Sequence, residues 1–196
     1  MVSNEMTNIA ALQHEWLHKW KKSDIKCNQS GLLKLIEENH AFNYQLWLAE
    51  DRARREDMGF EFVYLAKREI DHCNQQRNNR MEDIDEWLFI KLQPAPPSSC
   101  PVHSETPGMM IDRLSILTLK AYHMALQVAR TDVDATHHLA CSAKLRTIEE
   151  QKMQLQDCLQ QLLQDVCNKT RTFKIYHQFK MYNDPTLNPE LYCPKN

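Results

Sequence analysis

A chain of 196 residues that is 42% hydrophobic and 26% charged, with a formal charge of only −2, has the make-up of one globular domain, and such a chain buries roughly two-thirds of the surface it exposes when unfolded. So small a net charge supplies no field for nucleic acid or an anionic membrane, and neither is expected as a partner. The longest strongly apolar stretch, Met109 to Leu119, is broken by Asp112 and Arg113 and falls far short of the ~20 residues that cross a bilayer, so no membrane insertion is expected.

Three glycines in the whole chain, among long runs of Leu, Gln, Glu, Lys and Ala, predict helices joined by short connections. The fold class expected is all-α: a single-domain bundle of about five helices over residues 1–196, with a central apolar helix and an ordered aromatic C-terminal tail. The first helix is predicted from Asn4 to Lys22, with Ile9, Leu12, Trp16 and Trp20 on one face. Its start has Glu, His and Gln where a signal peptide needs an unbroken apolar run, so a cytoplasmic location is expected.

The second helix begins near Ser30 as N-cap and carries Leu32, Ile36, Asn39, Asn43, Trp47, Glu50 and Arg54 at spacings of three and four, which puts all of them on one stripe. The third repeats the pattern through Phe60, Val63, Lys67, Ile70, Asn74, Arg77, Met81, Ile84 and Leu88. A Pro/Ser-rich linker over residues 93–105 cannot continue a helix and is expected to cross the end of the bundle. Thr106 then caps a fourth helix, with Pro107 at the first helical position. Met109, Met110, Ile111, Leu114, Ile116, Leu117 and Leu119 make this helix apolar on most sides, so it belongs at the centre. The fifth starts near Asp134 and repeats Cys141, Leu145, Ile148, Lys152, Leu155, Leu159, Leu162 and Val166, with a solvated Gln-rich side. Residues 169–196 form the wrapping tail, with an extended stretch expected from Phe173 to Met181.

Periodicity also places polar residues inside: Asn39, Asn43, Glu50, Arg54, Lys67, Asn74, Arg77, Asp112, Lys120 and His123 share faces with Ile36, Trp47, Ile70 and Ile116. An unpaired buried amide costs on the order of 1–3 kcal/mol and an unpaired charge more, so these groups pair with one another, with water or with a ligand. Two readings stand side by side. One is a closed salt-bridge and amide network that fixes helix register; the other is a polar cavity between helices. With His123 neutral, cations outnumber acids four to two in the stripe, which favours an anionic ligand. The N-terminus of helix four at Thr106, Pro107 and Gly108 adds free N–H groups, and glycine there would let an anion come close.

Other chemistry is weaker. Glu15/His18, Glu37/His40 and Glu69/His72 have the Glu-x-x-His spacing of di-iron bundles, but the pairs are expected to point outward. Glu82-x-x-Asp85 reads as an exposed acidic turn. Seven cysteines form no CxxC pair and read as reduced thiols. No metal site and no cofactor is assigned.

The segments NHAFNYQLWLAEDRAR, REIDHCNQQRNNRMEDIDEWL, ETPGMMIDRLSILTLKAYHM and KMYNDPTLNP resemble the signature segments of a bacterial family catalogued as domain of unknown function 4254, from about Leu32 to Asn188. Cys73 stands where the family pattern would have an apolar residue. The resemblance implies an uncharacterised bacterial protein and, by association with glycosyltransferases alone, a link to surface-polysaccharide synthesis. Its motif positions fall here on Asn43, Trp47, Glu50, Asp51, Arg54, Asn74, Gln75, Arg77, Asn78, Glu105, Thr106, Asp112, Arg113, Lys120, His123, Asn183 and Asp184.

Two functions are therefore expected in competition. In the first, an anionic small molecule such as a phosphorylated sugar or sugar nucleotide binds in the bundle's polar cavity. Its ligand-binding set is Asn39, Asn43, Trp47, Glu50, Arg54, Lys67, Asn74, Arg77, Thr106, Gly108, Asp112, Arg113, Lys120 and His123, and His123, oriented by Glu50 or Asp112, is the candidate general acid/base. In the second, the stripe is structural and the protein is a non-catalytic accessory or scaffold that binds a protein partner.

Overall fold

Three of the long helices are started by a side-chain cap from their own sequence. The computed structural model describes residues 8–192, apart from the side chain of Asn183. Helix α1 spans Ile9–Trp20, and the Asn8 side chain caps it by accepting from the Ala11 N–H at 3.3 Å. The part of the expected first helix before Asn8 lies outside the described residues. Helix α2 spans Gly31–Ala53. Ser30 precedes it as expected, but its side chain makes no cap bond. The connection from α1 is held instead by Glu37, whose buried carboxylate accepts from the Asn28 and Gln29 N–H groups at 2.8 and 2.9 Å.

Helix α3 spans Phe60–Leu92 and ends on Gln93 in the left-handed conformation. The Lys169 ammonium donates to the Leu92 and Gln93 carbonyls, satisfying acceptors left over at that helix end. Helix α4 spans Pro107–Val128 and begins as the sequence predicts, with the Thr106 hydroxyl accepting from the Met109 N–H at 3.2 Å. Helix α5 spans Ala135–Cys167, and Asp134 accepts from the His137 N–H at 2.7 Å. None of the described helices is long and apolar enough to cross a membrane.

The central position expected for α4 is observed: it packs against α1, α2, α3 and α5. Met110, Ile111, Leu114 and Leu119 are at most 1% exposed and meet Ile9, Trp16, Leu32, Ile36, Ile84, Leu88, Leu155 and Leu159 in one hydrophobic cluster. Helices α2 and α3 form an antiparallel hairpin, joined by a 3₁₀ turn at Glu56–Met58 and by Gly59, whose φ of 89° suits glycine.

Helix α3 starts at Phe60 as the repeat has it, but the burial expected of its first turns fails. Phe60, expected in the core, is 97% exposed, and Tyr64 and Leu65 are exposed beside it. The repeat continues to the hairpin turn, but among the described residues nothing covers that end of the helix. Lys67 fails for the same reason and lies on the surface, paired with Asp71 at 2.9 Å. Leu117, also expected buried, is half-buried.

The linker does more than cross the bundle. Its β1, Val102–His103, pairs in parallel with β2, Thr172–Phe173, with Val102 opposite Thr172. The extended stretch expected over residues 173–181 is confined to this bridge, which seats Phe173 in the core at 1% exposure. Beyond it the chain runs through a 3₁₀ turn at Met181–Asn183 to a short α6, Pro189–Tyr192.

Candidate functional site

The polar stripe divides into a closed part and an open part. The closed part centres on Asp112, 2% exposed on α4. One carboxylate oxygen accepts from the side-chain amides of Asn39 at 3.1 Å and Asn43 at 2.8 Å, and from Arg77 Nε at 3.2 Å. The other accepts from the far nitrogen of Arg77. The geometry is a bidentate guanidinium–carboxylate pair, reinforced by two amides, in a site where an isolated carboxylate would be costly.

The Asn43 amide also reaches the Ser115 hydroxyl at 3.0 Å, and Ser115 meets His40 Nδ1 at 2.7 Å. Burial pushes the His40 imidazole down to about 3, partly offset by the neighbouring Gln13 carbonyl, so the ring is neutral. Gln13 extends the polar seam, donating to the Ile111 carbonyl at 3.3 Å and accepting from Thr118 at 3.4 Å.

The open part is a cleft of ≈ 330 Å³ directly above this network, lined by Asn43, Trp47, Glu50, Asp51, Arg54 and Arg77 with Leu46, Ile116 and Leu119 as its apolar wall. Glu50 and Arg54 form an ion pair at 2.6 Å at its rim. Behind Trp47 lies a second hollow of ≈ 540 Å³, which shares Trp47 and Asp51 and adds Lys120 and His123. Lys120 and Ile116 also belong to a third, of ≈ 610 Å³, with Arg113 and Glu105. Trp47 and His123 are stacked 4.3 Å apart at 10° and form the partition. Lys120 and Asp51 make no ion pair among the described residues.

Of the expected set, Asn39, Asn43 and Asp112 are buried, and Trp47, Glu50, Asn74, Arg77 and His123 are half-buried. Arg54 and Lys120 are exposed rather than inward, because the α2–α4 contact opens at this level and their long side chains reach the rim. Asn74 lies outside the lining of these hollows, as does Lys67. Arg113 is exposed and bound to Glu105 through one nitrogen at 2.6 and 2.7 Å. Neither Glu50 nor Asp112 orients His123, since Arg54 and Arg77 hold them. The carboxylate acting on His123 is Asp51: burial chiefly, then Lys21, lowers the imidazole pKa, and Asp51 opposes them.

The N-terminus of α4 is already occupied. Asp85, 3% exposed on α3, accepts from the Gly108 N–H at 2.7 Å and from the Thr106 hydroxyl. It is thus no exposed turn residue, and the anion that Gly108 admits is this protein's own. Glu82 is likewise committed, to the Gln178 N–H at 2.8 Å and to His177 at 3.0 Å. Nor do all three Glu-x-x-His pairs point outward, since Glu37 and His40 are buried, each held by separate partners.

Spacing gives Ser115 and Gln13 no place in the stripe and puts His40 and Asp85 outside it, whereas all four are buried. Asn43 and Ser115 gave the usable signal: with Asp112 three residues earlier on α4, Ser115 lies on the same helix face and was the available acceptor.

The family described as "Protein of unknown function (DUF4254)" matches residues 33–175. The chain belongs to this family. The match contains α3, α4 and α5 whole and nearly all of α2, so every residue of the DUF4254 cleft and of the Asp112 cluster beneath it lies inside the family region, while Gln13 of the polar seam lies outside it. No curated protein matches the chain, and no solved structure does.

Proposed function

We propose that the cleft beside Trp47 binds a small anionic molecule, a phosphorylated sugar or a sugar nucleotide, in the service of bacterial surface-polysaccharide synthesis. The observation that supports this reading is the stacking of the cleft on the Asp112 network. Asn43 and Arg77 belong to both, so two of the cleft's polar groups are held in place before a ligand arrives, which lowers the ordering cost of binding. Trp47 offers an aromatic wall for a sugar or base, Glu50 and Asn43 offer partners for hydroxyls, Arg54 offers a cation at the rim, and Lys120 offers one in the hollow behind Trp47. Arg77, already neutralised by Asp112, contributes hydrogen-bond direction more than net charge. His123, whose imidazole pKa burial lowers, lies in the hollow behind Trp47 and is the group suited to take up a proton.

Thermal melts with millimolar inorganic phosphate and UDP-glucose test the reading, because a ligand of the native state stabilises it by RT ln(1 + [L]/Kd), about 2.7 kcal/mol at a hundredfold excess over Kd. UDP-glucose is expected to raise the melting temperature of the wild type. Arg54→Met and Lys120→Met, both at exposed positions, should melt normally without ligand and lose the rise with it. No rise in the wild type with either compound contradicts the reading.

One observation favours the accessory or scaffold reading. Phe60, Tyr64 and Leu65 form an exposed apolar end on α3, of the kind that marks protein contact surfaces. An unaltered melt with every anion, together with partner capture that fails for Phe60→Ser, would favour that reading over the cleft.

A further inference from the structure

The solvent face of α1 carries a feature unrelated to the cleft. His14 and His18, one helical turn apart, bring their Nε2 atoms to 3.1 Å of each other. The two rings meet edge to face with centroids 4.3 Å apart. Their placement is braced from outside the pair: His18 packs edge-on against Tyr122 of α4 at 5.6 Å and 85°, and Tyr122 in turn faces the Lys21 ammonium at 5.5 Å. His14 lines a separate hollow of ≈ 420 Å³ between α1 and α5, together with Glu15, Glu149 and Lys152.

Two imidazole nitrogens at that separation have the bite of a chelate. A late first-row divalent ion sits about 2.0–2.1 Å from each histidine nitrogen, and nitrogens 3.1 Å apart then subtend an angle of about 100° at the ion. That angle lies between the square and the tetrahedral values, within reach of Zn²⁺, Ni²⁺ and Cu²⁺, the ions imidazole suits. Both rings are exposed, so water can complete the coordination sphere. Glu15 and Glu149 lie close enough to act electrostatically on His14, although Lys152 holds Glu149 at 2.5 Å. Among the described residues no group of three or more metal-binding side chains converges, so this would be a two-imidazole chelate, open on its solvent side.

We propose that His14 and His18 form a surface binding site for one divalent transition-metal ion of the zinc class. The competing account is that the two rings simply hydrogen-bond to each other, and the two make different predictions. Long-range ¹H–¹⁵N spectra of the imidazoles during a Zn²⁺ titration follow each ring separately. The Nε2 signals of His14 and His18 are expected to shift together and saturate at one zinc per chain, with exposed His72 on α3 as the internal control.

In His14→Ala the His18 shift should require a Zn²⁺ concentration higher by on the order of 10–100-fold, since losing a ligand costs no less than losing a residue that only orients one. The converse holds for His14 in His18→Ala. Both side chains are exposed, so the variants should fold, and an unchanged melting temperature without metal checks this. Shifts no larger than that of His72, or either variant retaining the wild-type response, would overturn the site and leave the mutual hydrogen bond as the role of the pair.

Discussion

Gly108 is where two local rules disagree. It lies inside α4, where alanine is normally preferred to glycine by about 1 kcal/mol. A Cβ there would come within 2.4 Å of the Met81 carbonyl oxygen and 2.9 Å of the Asp85 carboxyl group. The nearer atom is helix backbone and cannot step aside cheaply. Gly108→Ala is therefore expected to lose about 1–3 kcal/mol in urea denaturation, whereas propensity alone predicts a gain.

The close approach exists because Asp85 reaches the Gly108 N–H, and burial raises the Asp85 carboxyl to about 6 despite hydrogen bonds from Thr106 and Gly108 that oppose the shift. A folded-state value above the unfolded one near 3.8 means a contribution fully present below about pH 4 and lost as the pH rises through 6. Relative to Asp85→Asn, which cannot titrate, the wild type should lose roughly 2–3 kcal/mol between pH 4 and pH 7. Comparing the variant with the wild type cancels the opposite trend from buried His40. A stability difference that stays flat or rises with pH would contradict this account of Asp85.

At the scale of elements, helix starts were the most legible feature of the sequence. Thr106-Pro107 and Asp134 fix α4 and α5 through side-chain caps, and Thr106→Ala should cost about 0.5–2 kcal/mol, read as a lower urea midpoint at unchanged slope. The Thr106 hydroxyl serves both Met109 and Asp85, which argues for the upper half of that range. Ser30 looked equivalent and caps nothing; the loop before it is pinned instead by Glu37, two turns into α2, which accepts from the Asn28 and Gln29 N–H groups. The spacing from Glu37 back to a loop carries no local signature, so no sequence rule finds it.

Burial at the start of α3 was illegible for another reason. Periodicity reports which face a residue occupies but not whether a neighbour extends far enough to cover it, hence the error at Phe60 and Lys67.

Across the whole molecule, the same distinction divides the candidate site. The face shared by Asn39, Asn43, Trp47, Glu50 and Arg54 on α2 could be read from spacing. Depth along it could not, and depth separates the two roles. Near the middle of the bundle, where α2, α3 and α4 pack together, the polar groups close on Asp112. Nearer the C-terminal end of α2 the helices part, and Trp47, Glu50 and Arg54 line a cleft.

The two readings that the sequence left in competition thus describe successive levels of one stripe. The most direct measurement of that division is urea denaturation of Asp112→Ala beside Arg54→Ala. Asp112→Ala strands the largely buried Arg77 guanidinium and should lose about 3–5 kcal/mol, while Arg54→Ala breaks only a rim ion pair and should stay within about 0.5 kcal/mol of the wild type. Comparable losses in the two variants would contradict the division between a closed network and an open cleft.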